Sequence, residues 1–263
     1  MLKKPVMIIT GASSGIGEAT ARLFGVEHGY RLVLAARRAD RLRTLADEIE
    51  ASGGRVLPVP TDITQLDQVQ RLVDLTLENF GQVDILFNNA GFGKLRFLEQ
   101  LDPLVEIEPQ IQVNLLGLIY TTQAVLPQMI QRRKGHIINM SSVAGLAAPP
   151  KYSIYSATKF AVHGFTEALR REVRTLGIQV SGVYPGPVDT EFNLHTGAVH
   201  GYGFSTPEFL RLTSDDVAKT ILKLVRHPCR MAVIPWQMKV GVWLNAFFPS
   251  LIDWFVRQIF PRR

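Results

Sequence analysis

The chain is poor in the residues that staple or metallate small domains. Its one cysteine, Cys229, can form no internal disulfide, and no pair of cysteines or closely spaced histidines offers metal-ligand spacing. A disulfide-built secreted domain is thereby excluded, and a reducing, cytoplasmic setting without metal is expected. The stretch Met1 to Thr10 passes through two lysines into an apolar run with no small-residue cleavage site, so no signal peptide is expected. The most apolar region, near the C-terminus, is broken by Asn245, Pro249, Asp253 and Arg257 and does not read as a membrane span. Basic residues outnumber acidic ones for a net charge of +6, but they are scattered over 37–43, 132–134, 170–174 and the last two positions. Without a recognised binding motif to accompany them, no nucleic-acid partner is expected.

What is present is an ordinary globular composition, 46% hydrophobic and 20% charged over 263 residues, enough for one large α/β core. Apolar, β-branched runs at Val6 to Thr10, Arg31 to Ala35, Val56 to Pro60, Val83 to Asn88, His136 to Met140 and Gln179 to Tyr184 alternate with helical patterns. The helices are expected at 15–24, Arg38 to Ser52, Leu66 to Phe80, Pro109 to Arg133, Tyr155 to Leu176 and Asp215 to His227, with a last strand at Arg230 to Pro235. Strands joined by helices of this length need crossover connections, which build a parallel sheet covered on both faces. The expected architecture is a single-domain, doubly wound Rossmann-type α/β fold with a mainly parallel sheet, spanning 1–235.

Between the first strand and helix stands Thr10-Gly11-Ala12-Ser13-Ser14-Gly15-Ile16-Gly17. Glycines there let the backbone approach a pyrophosphate at a positive helix N-terminus, although such a cluster also arises for conformational reasons alone. The end of the second strand, where a carboxylate would receive an adenosine ribose, carries Ala36 followed by Arg37 and Arg38. Guanidinium forks suit a 2′-phosphate, which favours NADP(H) over NAD(H); alternatively they open a solvated charged helix. Asp62, with Ile63 beside it, is a candidate for the adenine amino group, or a turn or helix-capping residue.

Tyr155 and Lys159 stand four apart on an expected helix and so share a face. An ammonium beside a phenol, with an oxidised nicotinamide, would favour the phenolate and allow proton exchange with a substrate oxygen. Ser142, thirteen residues before Tyr155 at a strand end, could steady that oxygen as charge develops.

Together these residues resemble the short-chain dehydrogenases/reductases. The likeness runs from about residue 5 to 235 through the Thr10–Gly17 loop, Asn88-Asn89-Ala90-Gly91, Asn114, Ser141-Ser142, Tyr155 with Lys159, and Pro185-Gly186-Pro187-Val188-Asp189-Thr190. The resemblance implies Tyr155 as general acid/base, Ser142 as the residue polarising substrate, Lys159 on the nicotinamide ribose lowering the Tyr155 pKa, and Asn114 supporting a proton-relay water. It further implies Asn89, Ala90 and Gly91 along the adenosine, and Val188 and Thr190, after Pro185 and Gly186, on the carboxamide. A homodimer or homotetramer acting on a small-molecule carbonyl or alcohol is the implied assembly. Met140 before the serine pair and Pro109 near the start of the Asn114 helix depart from the family pattern.

The irregular stretch 189–213 follows a sheet strand and reads as a substrate lid. Phe92, Val143 to Pro150, Phe192, Leu194, Tyr202, Phe204, Phe209 and Leu210 make an apolar lining suited to a bulky or lipophilic substrate, or else pack on the domain. His195 and His200 read as loop surface. The tail, 236–263, carries Trp243, Phe247, Phe248, Trp254, Phe255 and Phe260, with Ser250, Asp253 and Arg257 as a polar stripe from Pro249 onward. It reads either as buried against a subunit or the substrate pocket, or as a peripheral membrane contact. A non-catalytic NADP(H) sensor of the same fold is the competing function; retention of Ser142, Tyr155 and Lys159 together speaks for the enzyme.

Overall fold

The computed structural model describes residues 4–192 and 207–259. Leu194, His195, His200, Tyr202 and Phe204 of the expected lid, and Phe260 of the tail, lie outside them. Nine strands appear among the described residues: β1 (Val6–Thr10), β2 (Arg31–Ala36), β3 (Arg55–Pro60), β4 (Ile85–Asn88), β5 (Gly135–Met140), β6 (Ile178–Pro185), β7 (Val188–Asp189), β8 (Leu212–Thr213) and β9 (Met231–Ile234). Seven of them form one sheet in the order β3-β2-β1-β4-β5-β6-β9, every pairing parallel. The doubly wound fold expected from the strand–helix alternation is thus the one observed.

Alternation of side chains along each strand divides the core in two. Met7 and Ile9 of β1 point with Leu32, Leu34, Phe87 and Val183 toward helices α1 (Gly15–Arg22) and α2 (Ala39–Ala51), which contribute Ala21, Leu42, Leu45 and Ile49. Val6 and Ile8 point the other way with Val33, Leu86, Ile137 and Val180. There they meet Leu72 and Val73 of α3 (Leu66–Phe80), Val125 and Met129 of α5 (Leu118–Arg132), and Leu169 and Val173 of α6 (Ser153–Val173). Burial of each large aliphatic side chain contributes about 1.5–3 kcal/mol, which is why the central strands are apolar on both faces. Helix α7 (Ser214–Arg226) closes the first face, started by a reciprocal cap in which Thr213 accepts from the Asp216 N–H and the Asp216 carboxylate accepts from the Thr213 N–H.

The helix expected from Pro109 begins earlier. Asp102 caps it by accepting from the Leu104 and Val105 N–H groups at 2.9 Å each, and Pro103 takes the first turn. The run to α5 is not regular: wide π-type turns at Pro103–Ile107 and Gln112–Gly117 flank the short α4 (Glu108–Ile111). Beyond β9 the chain forms two further helices, α8 (Met238–Phe247) and α9 (Pro249–Ile259).

Candidate active site

The sheet order reverses between β1 and β4, opening a crevice at their carboxyl ends where ligands of such sheets bind. The glycine loop leaves β1 into this crevice. Gly11 and Gly15 have φ of +65° and +54°, a region L side chains rarely adopt. At Gly17 a Cβ would overlap the Gly11 carbonyl oxygen and lie 2.7 Å from Asn89 Nδ2. Ser14, which precedes α1, makes no side-chain cap, so the first-turn N–H groups are left for another acceptor.

Asn89 and Ala90, expected along the adenosine, act here on the loop itself. The Asn89 amide donates to the carbonyls of Thr10 (3.0 Å) and Gly11 (3.2 Å), and the Asn89 and Ala90 N–H groups donate to Thr10 Oγ1. Thr10, whose side chain carried no distinguishing signal in the sequence, is therefore the hydroxyl that ties β1 to the end of β4.

The two arginines after β2 part company. Arg37 is exposed, whereas Arg38 folds back on the loop, donating from Nε to Ser13 Oγ (3.1 Å) and from Nη2 to Ser14 Oγ (2.6 Å). Its Nη1 donates to Glu191 (3.1 Å), whose other carboxylate oxygen accepts from Arg41 (2.5 Å). Hydrogen bonds from Arg41 and Arg38 hold the Glu191 carboxyl below the usual carboxylate range. Thr190 packs beside Gly15, 3.4 Å from where a Cβ would stand, so the segment after β7 arches over the phosphate loop. Asp62 shapes a turn through one oxygen, its Oδ1 accepting from the Thr64 N–H and hydroxyl. Ile63 is buried against Gly117, where a Cβ would lie 2.6 Å from its Cδ1.

Tyr155 and Lys159 share the buried face of α6, with Lys159 Nζ 5.6 Å from the Tyr155 ring centroid and donating to the Met140 carbonyl at 3.0 Å. Ser142, at the end of β5, is fixed by accepting from the Ala144 N–H (3.1 Å) and donating to the Pro185 carbonyl (3.4 Å). Asn114 is fully buried in the second π-type turn, a kind of irregularity that gathers at functional sites. Its side chain accepts from the Phe92 N–H (2.9 Å) and donates to the Phe92 carbonyl (2.8 Å) and Thr158 Oγ1 (3.2 Å). Thr158 in turn donates to the Tyr155 carbonyl. Both amide hydrogens of Asn114 and one acceptor position of its Oδ1 thus join the loop after β4 to the helix of Tyr155. Gly91 fits between Asn114 and Lys159, where a Cβ would lie 3.0 Å from Oδ1 and 3.4 Å from Nζ.

Electrostatically the site differs from the expected lowering of the tyrosine pKa. Burial pushes the Tyr155 phenol above its ordinary value, opposed by the neighbouring Ser142 hydroxyl. Burial also pulls the Lys159 ammonium down to about 8. Desolvation therefore dominates both groups in the chain by itself. Around the phenol lie Leu95, Ala144, Tyr152 and Phe192; of the expected apolar lining, Phe192 touches it most directly, with ring centroids 5.5 Å apart. Leu95 and Tyr152 escaped sequence reasoning, as did Gly93, whose missing Cβ makes room for Tyr155 and Phe192.

With this geometry established, comparison with known proteins places the chain. The family model for short chain dehydrogenase matches residues 5–199. The chain belongs to that family and is an oxidoreductase of it. An uncharacterized oxidoreductase of Listeria innocua is 44% identical over 192 residues, 72% of this chain and 77% of that protein. A short-chain dehydrogenase/reductase from Burkholderia phymatum, solved with NAD, superposes with a TM-score of 0.84 at 30% identity, covering 96% of this chain and 97% of that one. A short-chain dehydrogenase from Sphingobium yanoikuyae, solved with NADPH, superposes at 0.79 and 30% identity over 95% of each chain.

Proposed function

We propose that this protein is an NADP(H)-dependent oxidoreductase that interconverts a carbonyl and an alcohol on a bulky or lipophilic substrate, with Tyr155 as general acid/base. The observation that carries the reading is the convergence of Tyr155, Lys159 and Ser142 at the mouth of a glycine-lined crevice. The crevice suits a dinucleotide, because a Cβ at Gly17 would fill the space against Gly11 and Asn89 and the start of α1 lacks a side-chain cap. When bound, the nicotinamide supplies or accepts the hydride. Arg38 and Arg41 already grip one anionic group, the Glu191 carboxylate, and the same forks suit a 2′-phosphate.

Burial keeps Tyr155 a neutral phenol, the form that gives a proton to a substrate oxygen during reduction. The Ser142 hydroxyl, turned from its long contact with the Pro185 carbonyl, donates to that oxygen as negative charge builds on it. The nearby Lys159 ammonium favours the phenolate left behind, and oxidation of an alcohol returns the proton to it. The apolar set Leu95, Ala144, Tyr152 and Phe192 excludes water and favours an apolar substrate.

Initial rates of NADPH and NADH oxidation across apolar ketones and aldehydes test this reading. NADPH-dependent turnover is expected, falling about 10²–10⁴-fold in Tyr155→Phe with NADPH binding retained. Undiminished turnover in that variant would remove Tyr155 from the chemistry, and faster turnover with NADH would overturn the assignment of the arginines.

A further inference from the structure

The C-terminal pair α8 and α9 leaves its aromatic side chains uncovered. Val240, Trp243 and Phe247 of α8 follow one another at spacings of three and four, so they form a single stripe, and Trp236 stands in the turn that leads into the helix. Trp236 is 66% exposed, Trp243 54% and Phe247 64%. On α9 the exposed Leu251, Trp254 and Phe255 share a face, separate from the polar stripe of Ser250, Asp253 and Arg257. The rings associate with one another on the surface, Trp243 with Phe247 at 4.8 Å and Trp254 with Phe255 at 4.9 Å.

Exposed aromatic surface on two successive helices of this kind marks an interaction site. Among the described residues no helix is long and apolar enough to cross a membrane, and α8 and α9 have ten and eleven residues. Each reaches only about half of a ~30 Å hydrocarbon core, which suits lying in the interface instead. Charge decides between a lipid surface and a second copy. Residues 236–263 contain Lys239, Arg257, Arg262 and Arg263 against Asp253 alone. A twofold contact would bring the net positive charge of two such segments together, whereas an anionic surface complements it.

The helix pair is also rooted beside the candidate active site. A Cβ at Gly186 would lie 3.2 Å from Met238 Cε, and the preceding residue, Pro185, accepts the Ser142 hydroxyl. We propose that α8 and α9 lie on an anionic lipid surface through Trp236, Trp243, Phe247, Leu251, Trp254 and Phe255, and present the site to carbonyl compounds dissolved in that bilayer. The substrate clause rests on the carbonyl oxidoreductase reading above; the docking clause does not.

All three tryptophans of the chain, Trp236, Trp243 and Trp254, stand in this region, so selectively excited tryptophan emission reports on it alone. The full-length protein is mixed with phosphatidylcholine vesicles with or without phosphatidylglycerol, then floated, and its emission is recorded. Flotation with the anionic vesicles and a blue shift are expected, both lost in the combined Trp243→Ser, Phe247→Ser, Trp254→Ser variant and weakened in Lys239→Glu, Arg257→Glu. NADPH-dependent turnover of cyclohexanone should be unchanged in the serine variant, which shows it folded, while turnover of 2-octadecanone held in the anionic vesicles should fall at least tenfold. No flotation with unshifted emission overturns the docking. Emission already blue-shifted without lipid, with an oligomer that the serine variant dissociates, assigns the face to a second copy and overturns it too. Equal turnover of the bilayer-held ketone by both proteins overturns the substrate clause. No turnover of either ketone would count against the oxidoreductase reading, while flotation still decides the docking.

Discussion

Lys159 is the residue whose position is hardest to justify on stability alone. It is nearly inaccessible, its ammonium meets one backbone carbonyl, and burial pulls its pKa from 10.5 to about 8. Below pH 8 both folded and unfolded chains carry the proton, and the folded state bears the full burial penalty. Between about 8 and 10.5 only the unfolded chain keeps it, so stability rises with pH through that window. A shift of this size corresponds to a penalty on the order of 3 kcal/mol. Urea unfolding of cofactor-free protein at pH 7.5 and pH 10 is expected to show a stability gain of that order at the higher pH, absent in Lys159→Met. An equal gain in the variant would place the titration elsewhere. The pairing of Lys159 with Tyr155 was legible because two residues four apart on one helix need no tertiary information to be placed together. Their pKa values were not, since the surrounding Leu95, Ala144, Tyr152 and Phe192 come from segments that only the folded sheet brings close.

At the scale of elements, the strands of the central sheet read through because buried parallel strands are continuous apolar runs punctuated by glycine. The start of the helix carrying Asn114 did not, because π-type turns at Pro103–Ile107 and Gln112–Gly117 break the helical period that sequence reading relies on. Pairings across elements were equally hidden. Asn88 at the end of β4 and Asn139 in β5 are in register. Asn88 donates to Asn139 (2.9 Å) and Thr122 (2.8 Å), and Asn139 donates to Thr166 of α6 (3.0 Å). Removing one member strands buried partners, so Asn139→Ala should destabilise the protein by about 2–4 kcal/mol, read as a lowered urea midpoint with unchanged slope. The contact of Glu191 with Arg38 spans 153 positions and had no sequence signal. Because its carboxylate occupies the guanidinium groups proposed for the 2′-phosphate, Glu191→Gln should tighten NADPH binding by about two- to fivefold, the scale of an exposed ion pair, with NADH unaffected. Calorimetric titration with both cofactors checks this, and weaker NADPH binding in the variant would mean that Glu191 supports the cofactor rather than competing with it.

Over the whole molecule, buried ionisable groups set the pH range in which the fold is most stable. His136, at the sheet's β5, lies in the core with Nε2 2.9 Å from Ser181 Oγ. Ser181 donates its own proton to the Cys229 carbonyl (2.7 Å), so the imidazole must donate from Nε2. Burial lowers its pKa from 6.5 to about 4. As pH falls from 6.5 toward 4 the unfolded chain takes up a proton that the folded chain refuses, and stability declines across that window. On the alkaline side, Tyr155 and Tyr184 are both pushed above the ordinary phenol value by burial, so above pH 10 they ionise in the unfolded chain but not in the folded one and erode stability. With the Lys159 gain between 8 and 10.5, the maximum for cofactor-free protein should lie on the alkaline side of neutrality, near pH 8–10. His136→Gln keeps a donor toward Ser181 without a titrating ring. Between pH 7 and pH 5 the parent protein should lose about 2 kcal/mol more than this variant, measured by urea unfolding at both values. Equal losses would show that the acid limb belongs instead to the ion-paired carboxylates, of which Glu167, held down by Arg230 and Arg170 against the effect of its burial, is the most connected.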